Sequence, residues 1–114
     1  MSTFAIALPI QPGKSEEWRR VVQELSTSKR RETDDMHKRL GVKKADWFIQ
    51  QTPVGDLALV VLESEDAGAK FAAWGGSQHP FDLWMKGALG PLYGIDFNQT
   101  PAGPLPSGVY EYRS

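Results

Sequence analysis

The segment Trp74–Trp84, WGGSQHPFDLW, gathers the residues of this chain best suited to chemistry. His79 has an ordinary pKa near neutrality, which makes it the first candidate for a general acid or base. Asp82, three residues on, would face it across the first turn of a helix and orient its ring. An aromatic and amide set completes the candidate site: Trp47 and Gln51 (with Gln50 beside it), Trp74, Trp84 and Tyr93. Such residues would bind a planar, largely apolar substrate, because aromatic walls with few polar groups are the usual lining of a small-molecule pocket. Each assignment has a plainer counterpart. His-Pro before an apolar run is also a simple helix start, with the proline presetting the first turn. Every one of the tryptophans would serve equally well as core packing.

The totals narrow the classes of function. A chain of 114 residues makes one domain, residues 1–114, with a modest core. Thirteen basic and fourteen acidic residues leave a net charge of −1, so no global field draws in nucleic acid or an anionic membrane. The absence of cysteine excludes disulfides, thiolate metal sites and cysteine nucleophiles, and suits a reducing compartment. Two histidines far apart, His37 and His79, do not make a metal site. There is no phosphate-cradling glycine loop, dinucleotide fingerprint or Gly-x-Ser-x-Gly elbow, so no cofactor is expected. The opening MSTFAIALPIQPG lacks a basic stretch before its apolar run, and no segment is long enough to cross a bilayer. The expectation is a cytoplasmic domain.

The elements that must position the candidate site follow from periodicity. STFAIALPI alternates as a strand, with Phe4, Ile6, Leu8 and Ile10 on one face and small apolar residues on the other. Trp18, Val21, Val22, Leu25, Met36 and Leu40 then recur at helical spacing, which predicts one long helix. Gly13 or Ser15 would start it and Gly41 would end it. Its charged middle pairs Arg30 with Asp34 and Asp35 with Arg39 at spacing four, the mark of a solvated face, and His37 reads as a surface residue there. ADWFIQQ and DLALVVLE form a hairpin around Pro53 and Gly55. Ser64 is the expected cap of a helix carrying Phe71 and Trp74. That helix is interrupted at GGS and restarted at Pro80. Residues 94–114 read as an extended arm ending in a short strand, VYEYR.

The order strand, helix, strand, strand, broken helix, strand predicts an α+β chain of ferredoxin-like βαββαβ form. Its antiparallel sheet carries the helices on one face. LALVVL and STFAIALPI are apolar on both alternating faces, so the far face needs cover as well. A second copy is the simplest cover, and a homodimer is expected. The third strand lacks the aromatic and basic residues of an RNA-reading sheet.

The strand-PGK-helix opening FAIALPIQPGKSEEWRR, the hairpin ADWFIQQTPVGDLALVVLES and the segment FAAWGGSQHPFDLW together resemble the dimeric α+β barrel superfamily. That group contains antibiotic-biosynthesis monooxygenases, polyketide cyclases, stress-responsive barrels and haem-degrading enzymes. The resemblance implies a barrel of two sheets, a small apolar or aromatic ligand, and a cofactor-independent oxygenation, cyclisation or isomerisation with His79 as acid or base. Phe71, Trp74 and Ser77 match a segment of the haem-degrading members, but Trp84 and Met85 stand where their ligating histidine would be wanted. The cyclase-like members carry His-Pro-x-His, and here the second histidine is replaced by Asp82. A non-catalytic ligand-binding or structural dimer is the other reading that the sequence supports.

Overall fold

A computed structural model describes residues 1–99 and 105–114. Three strands and four helices occur among them. β1 is Ser2–Pro9, α1 Ser15–Ser26, α2 Arg30–Leu40, β2 Val42–Thr52, β3 Gly55–Ser64, α3 Ala67–Gly76 and α4 Pro80–Tyr93. The sheet is antiparallel in the order β1-β3-β2, with Ala7 opposite Leu59 and Phe48 opposite Leu59 on the other side. This is α+β architecture broadly compatible with a ferredoxin-like arrangement, with three strands rather than four among the described residues.

Strand alternation divides the sheet into two apolar faces. Phe4 and Leu8 of β1 and Ala58, Val60 and Leu62 of β3 are buried beneath the helices with Trp18, Val21, Leu25, Met36, Trp74, Met85 and Leu89. The register puts Ala5, Ala7, Pro9, Phe48, Leu57, Leu59 and Val61 on the opposite face, flanked by Thr3, Lys44, Asp46, Gln50 and Glu63, and no helix of the described residues lies over it. Phe48 is 52% exposed there. The expected two-sided apolar sheet is therefore present, and one of its sides is bare.

The expected long helix is two helices. Between them, the hydroxyls of Ser26 and Thr27 both donate back to the carbonyl of Gln23, at 3.1 and 2.7 Å, and compete with the helical ladder. Lys29 N–H then reaches five residues back to Glu24. The bend lets α2 turn over the sheet, so that Met36 is buried while its charged residues stay outside. Gly41 ends α2 in a left-handed conformation, as expected. Asp66, rather than Ser64, caps α3: its carboxylate accepts from Ala69 N–H, while Ser64 completes the strand and is fully buried.

The C-terminal strand does not form. Residues 105–114 carry no regular structure, although Pro106–Arg113 border the free edge of β1 at Thr3–Ala5. Val109, Tyr110 and Tyr112 are largely exposed, so pairing would order the segment without burying a face. The arm does not begin as an extended chain either. Gly94 caps α4 in a left-handed conformation, and residues 95–99 fold back as a compact turn against the ends of α3 and α4. Residues 100–104 of the expected arm lie outside the described residues.

That fold-back depends on glycine. A Cβ at Gly90 would lie 2.5 Å from the carbonyl oxygen of Ile95, whose N–H donates to Gly90. Gly90→Ala should cost about 1–3 kcal/mol in reversible denaturation. Gly87→Ala in the same helix meets open space and should be neutral or stabilising by under about 1 kcal/mol.

Candidate functional site

An apolar cavity of about 60 Å3 lies between the helix-side face of the sheet and the helices. The sheet contributes Leu8, Val60 and Trp47, and the helices contribute Met36, Phe71, Trp74, Met85, Leu89 and Tyr93. Its volume accommodates about five water-sized spheres, fewer atoms than a polycyclic molecule contains. Two wider grooves flank it. One, of about 470 Å3, runs between the α1–α2 bend and β2 and shares Met36, His37, Trp47 and Met85 with the cavity. The other, of about 560 Å3, lies beyond Phe97 and shares Leu8, Phe71 and Phe97.

The polar groups of the cavity wall are few and well defined. Trp18 Nε1 donates to the Tyr93 hydroxyl at 2.7 Å across α1 and α4. Burial pushes the Tyr93 pKa up to about 12, against the lowering effect of that bond, so the phenol stays protonated at any physiological pH. Trp74 is buried, and its Nε1 has no hydrogen-bond partner among the described residues. An unmatched buried donor is an energetic liability, and buried indole N–H groups are usually paired. At the rim, burial holds the His37 pKa below its usual value and favours a neutral imidazole, against the opposing charge of Asp34.

His79 and Asp82 are placed elsewhere. His79 is the N-cap of α4: its Nδ1 accepts from Phe81 N–H at 3.2 Å and Pro80 follows at the first helical position. It is not among the residues lining the cavity. Asp82 is 0% exposed and sits in a closed hydrogen-bond network. Arg39 donates to both of its oxygens at 2.8 and 3.2 Å, and Ser77 Oγ donates at 2.6 Å. Burial alone would raise the Asp82 pKa. The bonds from Arg39 and Ser77, with the charges of Arg39 and His79, outweigh it and hold the carboxyl below its ordinary range. An acid held this firmly as a carboxylate, with both oxygens hydrogen-bonded, is built to fix a corner.

Of the sequence-derived set, the cavity brings together Trp47, Trp74 and Tyr93. Trp84 stacks on Phe81 at 5.7 Å and takes Lys29 over its ring at 4.5 Å, away from the cavity. Gln51 lies exposed near the end of β2, opposite Asp56. The structure adds residues that the sequence reading passed over. Met36 and Met85 separate the cavity from one groove, and Phe97 closes the opposite side. Lys86, only 3% exposed, donates its three protons to Gly75 O, Ser77 O and Asn98 Oδ1 at 2.7–2.9 Å. A signal for Lys86 existed: Asp82, Lys86, Leu89 and Tyr93 share one helical stripe, so two charges stand on a buried face. No signal marked Phe97, which lies in a loop.

Asp82→Asn should lower stability at pH 7 by about 2–4 kcal/mol, toward the lower end because the Arg39 side chain is 30% exposed. Because the folded-state pKa is depressed, the carboxylate's contribution is full above about pH 4 and disappears as pH falls through the lower folded value. Wild-type and variant unfolding curves measured from pH 7 to pH 2 should therefore converge at the acid end.

No protein-family model, curated protein or solved structure matches the chain.

Proposed function

We propose that this protein is a homodimer that binds a small, largely apolar organic molecule between its sheet and its helices. The observation that carries the binding reading is the aromatic and methionine-lined cavity, one of whose wall residues, Trp74, has a buried Nε1 with no partner among the described residues. Mostly apolar walls, with polar groups on His37, Lys70, Trp74 and Tyr93, suit a small molecule bearing a hydrogen-bond acceptor. Binding, rather than catalysis, is the reading the geometry favours. The histidine that would act as acid or base is a helix cap outside the cavity, and the neighbouring carboxylate is fully engaged. The bare apolar face of the sheet supports the dimer: a continuous patch of Ala, Leu, Val and Phe side chains is covered most simply by its own symmetry mate.

Ligand binding should raise the melting temperature by an amount that grows with ligand concentration above Kd. In a thermal-shift series, small neutral aromatics at millimolar concentration should stabilise the wild type. Val60→Phe, which fills the cavity from the sheet side, should lose that response while remaining folded. Failure of every one- and two-ring compound to shift the wild type would refute the binding reading.

Leu59→Lys places a charge at the centre of the bare face and should convert a sedimenting dimer to a monomer with little change in helicity. A wild-type chain that sediments as a monomer at tens of micromolar would end the dimer reading.

A further inference from the structure

Phe97 is the one large side chain from the turn 95–99 that enters the core cluster. Three aromatic residues surround its ring. Trp74 meets it at 5.0 Å and 64°, Tyr93 at 5.9 Å and 89°, and Phe71 at 6.5 Å and 83°. All three contacts are edge-to-face, so together they form a cage matched to a single benzene ring. The ring also stands between the small cavity and the 560 Å3 groove, lining both. It packs on Trp74, whose Nε1 is buried and has no partner among the described residues.

The segment bearing Phe97 is attached by a few polar contacts. Ile95 N–H donates to Gly90 O at 2.9 Å, and Lys86 Nζ donates to Asn98 Oδ1 at 2.8 Å. Asn98 is itself exposed, and water can replace it at the lysine. The turn is thus held by few bonds, whereas the cage belongs to α3 and α4. Such a segment lies at the low-stability end of local opening.

We infer that Phe97 is an internal stand-in for the ligand: the protein takes a monocyclic aromatic molecule carrying a hydrogen-bond-accepting carbonyl, which displaces Phe97 from its cage and gives the Trp74 indole N–H the partner it lacks. This deepens the binding reading above and rests on it. Displacement of Phe97 joins the cavity to the groove, which supplies the room that the small cavity does not have. A hydrocarbon of equal size would fill the cage but leave the indole N–H unmatched, and would bind more weakly for that reason.

The test compares acetophenone with ethylbenzene on the full chain by titration, following the four indole N–H signals in 1H–15N spectra, with Trp74 identified by its loss in Trp74→Phe. Acetophenone should move the Trp74 signal saturably, bind about tenfold more tightly than ethylbenzene, and speed hydrogen exchange at residues 95–99. Asn98→Ala, which loosens the turn outside the cage, should bind acetophenone several-fold more tightly while melting slightly earlier. Trp74→Phe should equalise the two compounds. Equal affinity of the two compounds for the wild type would overturn the proposal. So would acetophenone binding that leaves residues 95–99 as protected as before, or unchanged affinity in Asn98→Ala. The last two results would leave the broader binding reading standing, with entry from the groove at the α1–α2 bend. Only a chain that no aromatic stabilises would remove both.

Discussion

A carboxylate and an ammonium one helical turn apart on α4, both shut away from water, hold the corner on which the rest of the molecule depends. Asp82 is anchored by Arg39 from α2 and by Ser77 from the link between α3 and α4. Lys86 takes the free carbonyls of Gly75 and Ser77, where the dipole of α3 makes a cation favourable. Neither charge could be buried alone, because an unpaired ion inside a protein costs several kcal/mol. Each is tolerated because it is well bonded: Asp82 accepts three hydrogen bonds over its two oxygens, and Lys86 donates all three of its protons. The corner therefore has one arrangement, and the helices leaving it have one relative orientation.

From that orientation the aromatic site follows. α3 carries Phe71 and Trp74 to one side of the cavity, and α4 carries Met85, Leu89 and Tyr93 to another. The Trp18–Tyr93 bond ties α1 to the same wall, and the stack of Trp18 on Trp47 at 6.5 Å extends the aromatic contact to the sheet. Lys86 also reaches Asn98, so the buried charge that fixes the corner also sets the turn that brings Phe97 into the cage. Glycine at positions 75 and 90 lets the turn lie directly on the helix ends, with a Cβ at Gly75 only 3.3 Å from the Phe97 carbonyl. Scaffold and candidate site thus share residues. The segment that closes the site is tied to α4 by the bonds from Ile95 to Gly90 and from Lys86 to Asn98.

Much of the scaffold was legible because it rests on local rules. An alternating apolar run gave β1, a run apolar on both faces gave β3, and the breaks at Pro53 and Gly55 gave the hairpin. The His-Pro start and Gly41 stop gave two helix boundaries at the expected residues. Errors arose where local signals competed. The hydroxyls at Ser26 and Thr27 break a run whose apolar spacing continues through them, and Asp66 outcompetes Ser64 as a cap because Ser64 is buried in the strand. VYEYR has the composition of a strand but no covered face to justify its ordering.

The amino-acid order by itself determined the α+β class, the two-sided apolar sheet and the aromatic character of the interior, since each is a property of spacing along one element. Only the tertiary structure decided which of those aromatics meet. It joined Trp47, Trp74 and Tyr93, assigned His79 and Asp82 to a helix start and a buried clamp, and added Phe97 from a loop. The physical reason is that a side chain's role depends on neighbours distant in sequence. Asp82 finds Arg39 forty-three positions away and Trp18 finds Tyr93 seventy-five away, and no periodicity encodes such meetings.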